Sequence, residues 1–112
     1  MTESIKVLQE AIELQKRKAS DYNNPSSRIK RAMYYPRGIA SIADIINGKL
    51  LRIYSVLEAM ENDPNYEPNF ESIEDSLIDM INYASFAVEY ARGKMEGQEL
   101  TVKQGLDHYV NN

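Results

Sequence analysis

The chain of 112 residues is 43% hydrophobic and 27% charged, with five Gly, four Pro and no Cys or Trp, the profile of one ordinary domain spanning 1–112. Without Cys there is no disulfide, thiolate metal site, iron–sulfur cluster or cysteine nucleophile, and a reducing cytoplasm is the expected location. Thirteen Lys and Arg against seventeen Asp and Glu give a formal net charge of -4, which argues against stable nucleic-acid binding, and no apolar run approaches the ~20 residues of a membrane span.

From Ser4 to Asp21 the apolar positions Ile5, Leu8, Ile12 and Ala19 recur at helical spacing, with Val7, Ala11 and Leu14 widening the stripe. Thr2 or Ser4 can cap this helix, and the cluster Asn23-Asn24-Pro25-Ser26-Ser27 ends it. One or two helical turns are expected between Arg28 and Tyr35, before Pro36. After Arg37-Gly38 a second long helix runs through Ile39, Ile42, Ile45, Ile46, Leu50, Ile53, Leu57 and Met60, with Gly48 a weak point costing ~1 kcal/mol relative to Ala. Residues 62–69 carry two prolines and form a loop. Ser72 or Asn69 can cap a third long helix, apolar at Ile73, Leu77, Met80, Ile81, Ala84, Val88 and Ala91, ending near Gly93 to Gly97; a short helix is expected from Thr101 to Val110. The predicted fold is therefore an all-α bundle of three long helices plus one or two short ones. Its core is small for a lone domain, which points to a homo-oligomer.

The net charge hides a division. From Lys16 to Arg37 there are seven bases, Lys16, Arg17, Lys18, Arg28, Lys30, Arg31 and Arg37, against a single acid, Asp21. Between Glu61 and Asp79 lie seven acids and no base. One segment can meet phosphates and the other can hold a hard cation; both can equally be solvated faces that attract each other. On the third helix Glu71, Asp75, Asp79 and Asn82 fall within about 80° of one another, a ladder whose like charges call for compensation by bases or a cation. Mg²⁺ takes one or two carboxylates plus water and substrate phosphate, so Asp75 and Asp79 are the candidate ligands, and Glu71 or Glu74 can complete the shell or polarise a water. The pairs Glu58–Glu61 and Glu10–Glu13 are weaker examples of carboxylates at i,i+3. Lys49 and Arg52 share a helical face within reach of phosphates, although such side chains also run along a core edge. Tyrosines such as Tyr22, Tyr34, Tyr35, Tyr83 and Tyr90 can stack a base or supply core area. His108 reads as structural. No Gly-rich phosphate loop, GxSxG elbow or HExxH helix is present.

The blocks Lys18-Ala19-Ser20-Asp21-Tyr22-Asn23, Lys49-Leu50-Leu51-Arg52-Ile53 and the run from Glu71 to Ala84, ESIEDSLIDMINYA, stand in an order that resembles a known family. It is the first type of nucleotide-modification-associated domain, common in phages and akin to the all-α NTP pyrophosphohydrolases of the MazG and dimeric dUTPase superfamily. The resemblance covers most of residues 8–90. It implies a phage-encoded, Mg²⁺-dependent nucleotide-processing protein, most closely a (d)NTP pyrophosphohydrolase. Asp75 and Asp79 would hold the metal and Glu71 and Glu74 would be catalytic. Lys18, Asp21, Tyr22, Arg28, Lys49, Arg52, Asn82 and Tyr83 would face the nucleotide. Two positions depart from the family pattern: Asn23 replaces the usual Gly after Asp-Tyr, and Ser76 stands where the Glu of an ExxD would be. The second departure bears on hydrolysis more than on binding. A non-catalytic protein that sequesters a nucleotide or nucleotide-derived signal is therefore the alternative, with a small nucleotide kinase as a related one.

Overall fold

The computed structural model describes residues 1–22, 26–67 and 70–100, with every side chain among them except those of Tyr22, Phe70, Glu71 and Leu100. Three helices, α1 (Glu3–Tyr22), α2 (Ile39–Asn62) and α3 (Phe70–Ala91), are joined by irregular segments. These include 3₁₀ turns at Arg31–Tyr34 and Gln98–Leu100. Among the described residues there is no strand, so the all-α expectation holds. Each expected long helix forms within a few residues of its expected bounds, and of the one or two turns expected between Arg28 and Tyr35 the structure has a 3₁₀ turn at Arg31–Tyr34. The helix expected over 101–110, with His108, lies outside the described residues.

Local chemistry accounts for the ends. Thr2 caps α1, its Oγ1 accepting from Ile5 N–H at 3.4 Å. Tyr35-Pro36-Arg37-Gly38 closes a turn through Gly38 N–H to Tyr35 O at 2.8 Å, and Gly38 then opens α2 at φ 63 and ψ -131. After α2, Asp63 Oδ1 accepts from Asn65 N–H at 2.9 Å, the side-chain turn that Asp before Pro favours. At the far end of α3, Gly93 N–H donates to Tyr90 O at 2.9 Å and Lys94 N–H to Glu89 O at 3.1 Å. That pair of bonds is a Schellman motif, and it needs the positive φ of 71 that Gly93 supplies.

The buried cluster sits where α2 begins and α3 ends: Ala32, Tyr35, Ile42, Tyr90 and Met95, flanked by Ile39, Ile45, Ile46, Tyr83, Phe86 and Ala87. Arg31 fastens the preceding turn to it, donating to both carboxylate oxygens of Glu89 at 3.1 and 2.9 Å while its guanidinium lies 5.0 Å from the centre of the Phe86 ring. Gln98 closes the opposite side, donating to Tyr90 O at 2.7 Å.

Helix α3 packs chiefly on α2 and more lightly on α1. The α1 contact includes a polar bridge. Asn82, buried on α3, donates to Ala11 O at 3.1 Å and accepts from Gln15 Nε2 at 3.1 Å, and Gln15 also reaches Ser85 Oγ at 3.2 Å. Ala11 is buried at that crossing, while Ile5, Leu8 and Ile12 on the neighbouring strip of α1 stay exposed.

Candidate functional site

Partner order fixes how the helices run. Lys49 meets Asp79 and Arg52 meets Ser72, so α2 is antiparallel to α3. Lys18 meets Asp79 while Gln15 meets Asn82, so α1 is antiparallel to α3 as well. Asp79 therefore lies on the strip of α3 that both flanking helices reach, at the convergence of all three.

The convergence is cationic. Lys49 Nζ is 3.0 Å from Asp79 Oδ2 and Lys18 Nζ is 3.8 Å from Asp79 Oδ1, so two ammonium groups from different helices share one carboxylate. The side chains of Asp79 and Lys49 are 21% and 28% exposed, so their charges are only partly screened by water. One turn along α2, Arg52 donates to Ser72 Oγ at 2.8 Å, two turns back along α3 from Asp79. Lys18, Lys49 and Arg52 bring three positive charges to an α3 edge that carries Asp79 and the exposed Asp75, and a dianionic group seated between the two lysines lowers their repulsion. Lysine ammonium groups have three donors each, so contact with Asp79 leaves donors for a phosphate oxygen. Asp75, one turn from Asp79 on the same edge, is exposed.

The expected site residues divide into three groups. Lys18, Lys49 and Asp79 come together, with Arg52 one turn along α2 on Ser72. Asn82 and Tyr83 are taken up in packing instead: Asn82 bridges to α1, and Tyr83 stands edge-on to Phe86 with ring centres 5.6 Å apart. Asp21, Arg28, Glu74 and Asp75 are exposed and make none of the contacts that build the cluster. The side chains of Tyr22 and Glu71 lie outside the described residues. Ser72 and Gln15 are contributors not anticipated as such. Ser72 shares the α3 edge with Asp75 and Asp79, a spacing visible in the sequence, whereas the role of Gln15 depends on which helix covers Asn82.

Mg²⁺ requires near-octahedral oxygen coordination, commonly from one or two carboxylates. Both oxygens of Asp79 are faced by ammonium groups, which repel a cation, and among the described residues no three acids or histidines gather in a metal-holding group. Ser76, which replaces the carboxylate of the ExxD pattern, is buried. The donors that converge on Asp79 suit an anion. No described helix is long and apolar enough to cross a membrane. No family model, curated protein or solved structure matches the chain.

Proposed function

We propose that the chain binds a nucleotide or nucleotide-derived small molecule through its phosphates, at the cluster of Lys18, Lys49 and Arg52. The observation that carries this reading is the convergence of Lys18 and Lys49, from two helices, on the single carboxylate of Asp79. The order of the Lys18-to-Asn23, Lys49-to-Ile53 and Glu71-to-Ala84 blocks supports a nucleotide over other phosphates. Sequestration without turnover suits the described donor set better than pyrophosphohydrolysis does. A second copy of the chain covers the apolar strip of α1, because Ile5, Leu8 and Ile12 stay about half exposed among the described residues.

Thermal unfolding with each ribo- and deoxyribonucleotide in EDTA tests the binding reading. A ligand present at one hundred times its Kd stabilises by ~2.7 kcal/mol, which is readily measured as a rise in Tm. The rise is expected to increase from mono- to triphosphate and to fall with added salt. No shift with any nucleotide removes the reading. Pyrophosphate release on adding Mg²⁺ would favour the hydrolase alternative over sequestration.

A further inference from the structure

We infer that Asp79 is a built-in occupant of the anion seat, a carboxylate that competes with the ligand's phosphate for Lys18 and Lys49. This rests on the phosphate-binding reading above and reverses the role that a metal site would give the residue. Two observations point the same way. Each oxygen of Asp79 faces a different ammonium, at 3.8 and 3.0 Å, which is how a phosphate oxygen pair would be held. The carboxylate is 21% exposed, so the seat is reachable from water. Removing the negative charge that sits between the two lysines then strengthens the field on an arriving phosphate, with Lys49 still placed by its helix.

The two roles predict opposite signs. A metal-ligating Asp79 makes Asp79→Asn lose binding, and the loss is confined to Mg²⁺-containing buffer. A competing Asp79 makes Asp79→Asn, which keeps the shape of the side chain, gain affinity without metal.

Calorimetric titration of the whole protein with ATP and with inorganic tripolyphosphate, in EDTA and then in Mg²⁺, reads the sign. In EDTA, Asp79→Asn is expected to bind both probes about tenfold more tightly than wild type, equivalent to ~1.4 kcal/mol. Asp75→Asn removes the same charge one turn away without touching either lysine. Its affinity is expected to change less than about twofold, which separates competition for the seat from a general loss of negative charge. Thermal unfolding of both variants confirms that they are folded at the titration temperature. Wild-type binding with equal or weaker binding by Asp79→Asn overturns the inference and leaves the phosphate site standing. A gain on adding Mg²⁺ that Asp79→Asn abolishes also overturns it. Binding of neither probe by either protein overturns both the inference and the reading on which it rests.

Discussion

Gly38→Ala is expected to destabilise the fold by ~2–6 kcal/mol, a large share of the stability available to a domain of this size. Two costs add. At φ 63 and ψ -131 the backbone occupies a region that L side chains with a Cβ rarely enter, worth ~1–3 kcal/mol on its own. A Cβ there would stand 2.8 Å from Tyr90 Cε1. The Tyr90 ring is 1% exposed and belongs to the main buried cluster, so it has nowhere to retreat. Gly48→Ala is the internal control. Gly48 lies inside α2 with nothing within 4 Å of an added Cβ, so the change is expected to stabilise by ~1 kcal/mol through helix propensity. Urea unfolding of the two variants beside wild type checks both signs; similar midpoints for the two would contradict the account of Gly38.

Ile12→Glu is expected to convert a self-associated protein into a monomer at micromolar concentration. Ile5, Leu8 and Ile12 are 44%, 46% and 50% exposed on α1, spaced at three and four residues on one strip. Burying what remains of such a side chain is worth ~1 kcal/mol, and a two-fold interface uses each strip twice. A glutamate in that contact loses the burial on both copies and adds an unpaired charge, a change of several kcal/mol in association. Within one chain the cost is small, because Ile12 is already half exposed and Ala11 makes the intrachain contact. Sedimentation equilibrium is expected to give twice the chain mass for wild type and the chain mass for the variant. A monomeric wild type would remove the proposed second copy.

Helices were legible because their apolar residues repeat every three or four positions, and the start of α2 because its periodicity begins just after Pro36 and Gly38, residues that break a helix. The acidic edge of α3 was legible from angle alone. Angle does not say which neighbour lies over an edge. Asn82 and Asp79 share that edge, yet α1 crosses directly over Asn82, consuming its amide, and only skirts Asp79 with the end of Lys18. Tyr83 meets Phe86 at the i,i+3 spacing of one helix face, a contact that spacing alone allows but does not choose over a ligand. Seven acids between Glu61 and Asp79 suggested a cation site. The fold brings two lysines to the last of them, and a pairing between residues 18 and 79 has no local signature.

The central claim is that lysines from α1 and α2 hold the phosphates, and calorimetric titration of wild type beside Lys49→Met with a nucleoside triphosphate in EDTA tests it most directly. Methionine keeps most of the apolar stem and removes the charge, so packing changes little while the closer of the two ammonium groups, 3.0 Å from Asp79, is lost. The account predicts saturable binding by wild type and at least about tenfold weaker binding by Lys49→Met, in line with the loss of a charge-assisted hydrogen bond. Lys16→Met removes an exposed lysine paired only along its own helix with Glu13 at 3.8 Å, and it is expected to bind as wild type does. Equal affinity in wild type and Lys49→Met would contradict the claim.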